Sequence, residues 1–463
     1  MNSAAKTFTL VGLVVSMLLA MHLLPTVYIG SQELRHVNIL SDILPEPYRQ
    51  KYAIDVIPIP VPPKPMEAAV TEKKRKKIEV YHPEGVTLID DYSQGEAGGL
   101  DHFYNCLDSL PSLGRPLRIA YFGDSFIEGD ILTAHIREML QSKFGGSGVG
   151  WVDPGNKING FRLTVRQRFK LFCESEVVEK PFNYHWEGIN QRYFVPKEGA
   201  SVWSHGTDYC SHAADWQQAT LYLRTEDGVT VDVNTNDQEE WSSYTIEGSD
   251  RLQSFEIRQP MNSVSYRFRD VRENTYVHGM ALEDTTGITL DNFSMRGSSG
   301  ASLAKLPLDM MNDLARQRVY DLIVLHFGTN VVSDRSHAAN YKAYTKQMKE
   351  VVEHLQRVYP EASYLVVSVP DRDQRTPAGI RTMNGIESLA GYQQLMASEC
   401  KVAFFNLFKA MGGRESIKKM VDKNLANKDY THLKHQGGEI VAKYFYDSLL
   451  AGYENYHRRN YDD

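Results

Sequence analysis

Apolar residues fall into strand-length runs at both ends of the folded part of the chain, and each run stops at a small polar turn. Leu117-Arg118-Ile119-Ala120-Tyr121-Phe122 ends at Gly123-Asp124-Ser125, and Tyr320 to Phe327 ends at Gly328-Thr329-Asn330. A third run, Tyr364 to Pro370, follows a segment from Tyr341 to Val358 that has helical spacing. After the first turn, Ile131, Leu132, Ile136, Met139 and Leu140 also repeat at helical spacing, and Gly145-Gly146 supplies a stop. A last helix is expected from about Gly438 to Leu450. Strand, helix, strand order of this kind predicts a parallel sheet covered by helices, an α/β fold.

Between these blocks, from about 150 to 290, the runs are shorter and little suggests long helices. Ala219 to Leu223 and Val229 to Val233 read as strands around Asp227-Gly228, and Tyr276 to Leu282 is expected to pair with Ile288 to Phe293 through a glycine-containing turn. An all-β insertion is the resulting expectation. Trp186, Trp203, Trp216 and Trp241 lie in it, either as core side chains or as faces for sugar stacking.

The N-terminus changes the picture. Beyond Lys6 no charged side chain appears until Glu33, an uncharged run of about 26 residues, against roughly 20 needed to span a bilayer as a helix. Residues 1–32 read as a membrane anchor or a cleaved signal peptide, which puts the body outside the cytoplasm, in the periplasm or cell envelope. Residues 33–85 read as a tether, with prolines from Pro58 to Pro65 and a basic run from Lys73 to Lys77. With 463 residues, 42% hydrophobic and 24% charged, the rest is long enough for two or three folded units, and disorder throughout is excluded. The net charge of −7 argues against nucleic acid as the partner. Cys106, Cys173, Cys210 and Cys400 show no C-x-x-C spacing and no local pairing with histidine, so structural zinc is not expected. In an exported chain Cys173 and Cys210 form a disulfide or remain buried thiols.

Two turns carry candidate chemistry. A serine just beyond a strand, beside a helix N-terminus, presents its hydroxyl where backbone N–H groups stabilise developing negative charge. It needs a base, and Asp429-Tyr430-Thr431-His432 offers an imidazole with a carboxylate to fix its tautomer. Asn330 can aim an amide N–H at a reacting carbonyl oxygen. Each motif alone is an ordinary turn or cap.

Taken together, in this chain order, the blocks resemble the SGNH hydrolase family, also called GDSL-like esterases. The resemblance implies Ser125 as nucleophile, Asp429 and His432 as its partners, and an oxyanion hole from the N–H groups of Ser125 and Gly297 and the Asn330 amide. Gly297 lies in Arg296-Gly297-Ser298-Ser299-Gly300, where Gly300 competes for the role, and Val331 stands where many relatives carry aspartate. Gly123 to Asp130, followed by Phe144 to Val152, and the late segment Asn406 to Gly413 resemble the peptidoglycan O-acetylesterases. That likeness implies a three-layer α/β/α sandwich in two parts, 86–152 and 291–455, an inserted carbohydrate-binding-module-like β-sandwich at 153–290, and a tail at 456–463. The implied function is removal of O-acetyl groups from a glycan, most of all peptidoglycan, with no cofactor and no metal. Acetyl transfer to a sugar, esterase action on another acetylated polysaccharide, and glycan binding without catalysis are the alternatives.

Overall fold

The computed structural model describes residues 80–93, 99–156, 160–333 and 335–461, with residue 60 and short pieces between 8 and 33. The leader, the proline run and the basic run of the tether lie largely outside the described residues. Among the described residues no helix is long and apolar enough to cross a membrane.

The elements of the first part are β1 (Asp90–Asp91), α1 (Asp101–Asp108), β2 (Leu117–Gly123) and α2 (Thr133–Phe144). Nine strands follow: β3 (Gly148–Val152), β4 (Val165–Glu176), β5 (Arg192–Gly206), β6 (Trp216–Thr225), β7 (Val229–Thr235), β8 (Ser242–Ile246), β9 (Ser249–Met261), β10 (Ser263–Arg269) and β11 (Thr275–Glu283). The chain then returns through β12 (Ile288–Ser294), α3 (Leu308–Gln317), β13 (Leu322–His326), α4 (Ala338–Val358) and β14 (Ser363–Val367). It closes with a hairpin, β15 (Asp373–Thr376) and β16 (Gly379–Thr382), then α5 (Ile386–Cys400), β17 (Ala403–Phe405), α6 (Leu407–Ala410), α7 (Ser416–Asp422) and α8 (His435–Asn460).

One sheet has the order β12-β2-β13-β14-β17-β1, parallel except for β1. Every residue of β2, β13 and β14 is buried, because helices cover both faces. Phe122, Ile323, Leu325 and Val366 pack with α3, α4 and α5. Ile119, Tyr121, Val324 and Leu365 pack on the other side with α1, α2 and α8. The fold is therefore α/β with a parallel-containing sheet, as the strand runs predict.

The nine inserted strands form one antiparallel sheet of order β8-β7-β10-β5-β11-β6-β9, with β4 pairing β5 and β3 pairing β11, and Val277 opposite Phe194 links its two halves. Val202, Val231, Tyr266, Leu221, Leu223 and Met280 share the core between them. Two expectations are corrected here. Tyr276 to Leu282 does not pair with Ile288 to Phe293: β11 pairs with β6 and β3, while β12 crosses to run parallel to β2. The apolar Ile288-Thr289-Leu290 run suits a strand covered on both faces, a burial that pairing by sequence proximity overlooks. The antiparallel body thus spans Gly148 to Glu283, so its first strand lies inside the stretch assigned to the catalytic part.

The final helix is also longer than expected and takes in most of the 456–463 tail. Tyr456 is buried, and Arg459 and His457 pair with Asp101 and Asp108 of α1. All four cysteines are free thiols, with Cys173 exposed and Cys210 buried. Trp216 is fully buried and Trp186 stacks on Tyr276 at 4.2 Å, whereas Trp203 and Trp241 lie under the guanidinium groups of Arg168 and Arg267.

Candidate active site

β2 is the second strand of its sheet, so its carboxyl end is flanked by the ends of β12 and β13. Gly123 is level with Ser294 on one side and His326 on the other. The serine turn, the glycine turn and the asparagine turn therefore emerge side by side from one sheet edge. Asp124 points inward, accepting the Phe126 N–H at 2.9 Å and the Thr329 hydroxyl, which ties the serine turn to the asparagine turn. Burial pushes the Asp124 carboxyl up, against the pull of those two bonds.

His432 arrives from the far end of the chain. Gly438, in the first turn of α8, sits where a Cβ would lie 1.8 Å from the Ile131 carbonyl, so glycine lets α8 close on the serine segment. The loop before α8 is held by Asn427 N–H to His432 O at 2.8 Å and by Asp373 N–H to Tyr430 O at 3.0 Å. In this position Ser125 Oγ lies 2.9 Å from His432 Nε2, and His432 Nδ1 lies 2.7 Å from Asp429 Oδ2. Nδ1–H donating to the carboxylate leaves Nε2 as the acceptor facing the serine hydroxyl. Asp429 Oδ1 accepts the N–H groups of Thr431 and His432, each at 3.0 Å. Burial alone would raise the Asp429 carboxyl, but the bonds from His432 and these N–H groups outweigh it and hold it below the ordinary range.

Asn330 reaches the turn that carries Gly297, at the neighbouring residue Ser298. Met295 N–H donates to Gly123 O at 3.0 Å, which seats the glycine turn beside the serine strand, and Asn330 Nδ2 donates to Ser298 O at 3.0 Å. Gly297 has φ 74° and nothing within 4 Å of a built Cβ. Gly300 differs: its N–H is spent on Ser298 Oγ at 3.0 Å and it packs on the Phe327 ring. Of the two glycines, Gly297 is the one facing open space.

Several residues of the site were not singled out by the sequence. Arg372 donates from Nη1 to Thr329 O at 2.8 Å, bracing the asparagine turn. Asp130 is fully buried and accepts from Arg137 at 2.6 Å, Arg162 at 2.9 Å and Thr164 at 2.7 Å, and the guanidinium groups hold its carboxyl far below the usual range despite burial. Its place in Gly123 to Asp130 was the available signal, since nothing in a sequence distinguishes a buried hub from a surface aspartate.

Away from this edge, His102, Cys106 and Asp321 are the group among the described residues that could hold a metal. One helical turn separates His102 from Cys106, with 3.6 Å between Nε2 and Sγ, so the expectation of no local histidine partner for cysteine is corrected. Asp321 is already held by Arg115 at 2.7 and 2.8 Å and by the Arg118 N–H at 3.0 Å. The cluster lies before β13, at the opposite end of the strand from Asn330.

No protein-family model matches the chain, and no curated protein matches it. Among solved structures, a peptidoglycan O-acetylesterase is similar at 23% identity and TM-score 0.65, over 80% of this chain and 99% of that one. The fold is that of a peptidoglycan O-acetylesterase. At this coverage the likeness takes in nearly all of that protein, inserted body and parallel sheet together. A family two carbohydrate esterase from Clostridium thermocellum, in complex with cellohexaose, is similar at 10% identity and TM-score 0.26, over 58% of this chain and 99% of that one. A family 29 carbohydrate binding module matches 30% of this chain and 90% of its own at 11% identity and TM-score 0.20. The last two are too distant to bear on the fold.

Proposed function

We propose that the protein is an extracytoplasmic serine esterase of the SGNH type that removes O-acetyl groups from a carbohydrate, peptidoglycan before other glycans. The observation that carries this reading is the hydrogen-bonded chain from Ser125 through His432 to Asp429, set at the carboxyl edge of a parallel sheet. His432 Nε2 takes the Ser125 proton as Oγ attacks the acetyl carbonyl. The N–H groups of Ser125 and Gly297 and the Asn330 amide hold the oxyanion. The sugar oxygen leaves with the proton from His432, and Asp429 stabilises the transient imidazolium. Water, deprotonated by His432, then cleaves acetyl-Ser125 to acetate and free enzyme. In this account the uncharged leader places the body outside the cytoplasm, anchored or released, and the insert is a carbohydrate-binding-module-like sandwich.

Acetate release from O-acetylated peptidoglycan, run beside a chromogenic acetate ester, tests the reading. Release from both, abolished in Ser125→Ala and His432→Ala with melting temperature kept, is the expected outcome. Cleavage of the small ester alone moves the substrate to another acetylated glycan, and an undiminished rate in Ser125→Ala removes the serine mechanism.

A further inference from the structure

The insert does more than flank the sheet: one of its loops reaches the serine segment with its side chains arranged against the usual partition. Phe161 is 71% exposed, the most exposed large apolar side chain between residues 99 and 460 among those described, and Leu163 is 40% exposed, while Arg162 between them is buried. Burial of Arg162 explains the exposure of its neighbours. Its guanidinium donates to Val149 O at 2.6 Å, Trp151 O at 2.7 Å and Asp130 Oδ2 at 2.9 Å. Thr164 donates to the same Asp130 oxygen at 2.7 Å. Four bonds to fixed partners hold Arg162 and Thr164 inward, and Phe161 and Leu163 on either side of Arg162 are left exposed.

The place where they emerge is set by two contacts. Phe161 backbone lies against Gly129, four residues beyond Ser125, with its carbonyl oxygen 3.6 Å from where a Gly129 Cβ would be. Thr207 donates its hydroxyl to Leu163 O, and two residues on, Tyr209 is exposed with its OH 3.1 Å from His135 Nε2. The Tyr209 ring also meets His435 edge-on at 5.7 Å, three residues beyond His432. The Phe161 loop therefore touches the serine segment at Gly129, and the segment bonded to it carries Tyr209 to the start of the histidine helix.

We propose that Phe161, with Leu163 and Tyr209, is a glycan subsite: a wall that takes the C–H face of a pyranose ring while the ester enters toward Ser125. A pyranose presents one face of C–H groups that packs on an aromatic plane, and phenylalanine, lacking a polar tip, recognises that face and not the hydroxyls. A rigid wall costs less ordering on binding than a loop that must fold over its ligand. The identity of the reacting centre rests on the esterase reading above.

The experiment has a kinetic arm and a binding arm. In the kinetic arm, kcat/KM is measured on soluble O-acetylated peptidoglycan fragments and on 4-nitrophenyl acetate, and their ratio is compared between the parent and Phe161→Ala. The ratio falls about tenfold, chiefly through the KM for glycan, and Phe161→Trp restores it to within about threefold. In the binding arm, the Kd of Ser125→Ala for the same fragments rises about tenfold when Phe161→Ala is added. An unchanged ratio with unchanged Kd overturns the subsite while leaving the esterase standing. A parent that hydrolyses nothing but binds fragments through Phe161 overturns the esterase and keeps the subsite. A parent that neither hydrolyses nor binds them overturns both.

Discussion

The parallel sheet and the inserted antiparallel body solve burial in opposite ways. Strands β2, β13 and β14 are buried along their whole length, so they have no surface to offer except their ends, and their carboxyl ends carry Ser125 and Asn330. Strand β4 in the insert is buried at Val165 and half-buried or exposed over the rest of its length, leaving much of it in water. The first arrangement gathers the serine, glycine and asparagine turns at an edge braced by Asp124, Arg372 and Asp373. The second distributes exposure along strands and reaches the edge through loops, at Phe161 against Gly129 and at Arg192 against the Ser294 carbonyl. Buried charge joins the two. Glu283 of β11 accepts from Arg118 of β2 at 2.9 Å and from Arg318 at 2.9 Å, and Asp130 does the same work next to the site.

If chemistry belongs to the sheet edge alone, Ser125→Ala abolishes turnover by about four orders of magnitude or more without changing the unfolding midpoint in urea. A large residual rate would move the chemistry elsewhere. If buried charge binds the two bodies, Glu283→Gln leaves Arg118 and Arg318 undercompensated and costs about 3–5 kcal/mol in urea unfolding, with the loss confined to stability. Two separate unfolding steps in that variant would sharpen the comparison further, because they would mark the bodies as separable. If the Asn330 amide acts on the oxyanion and not on the ground state, Asn330→Ala lowers kcat for acetate release by about 100- to 1000-fold with KM little moved.

The smallest effect concerns Glu187, fully buried in the insert near Lys180 and Lys305, whose oxygens find no hydrogen-bond partner among the described residues. Burial pushes its carboxyl up to about 8, against the two lysines. The unfolded chain ionises it near its ordinary value, so between about pH 4.3 and that raised value the folded state binds more protons and stability falls as pH rises. Glu187→Gln removes this slope, so its unfolding free energy relative to the parent should rise steadily from pH 5 to pH 8. A parent with a flat stability profile over that range would contradict the assignment.

What was legible in the sequence follows the same division. Unbroken apolar runs mark strands covered on both faces, so β2, β13 and β14 stood out together with the turns that end them, and the four side chains Ser125, Asn330, Asp429 and His432 could be placed in order. Pairing in the insert was less legible. Ile288 to Phe293 follows β11 after a short glycine turn, which reads as a hairpin, yet its partner β2 lies far back in the chain. Nothing local encodes that choice. The hubs were hidden for a related reason: Asp130 and Glu283 matter because of what surrounds them in space, and Phe161 matters because its neighbour Arg162 is buried.

The most direct test of the central claim is to trap the acetyl group. The purified protein is mixed with O-acetylated peptidoglycan, quenched in acid within the first turnovers, and digested for mass spectrometry. The account predicts an acetyl adduct on the peptide containing Ser125, absent from Ser125→Ala. Acetate release without that adduct in a Ser125→Ala variant that still turns over, or an adduct on another side chain, would contradict it.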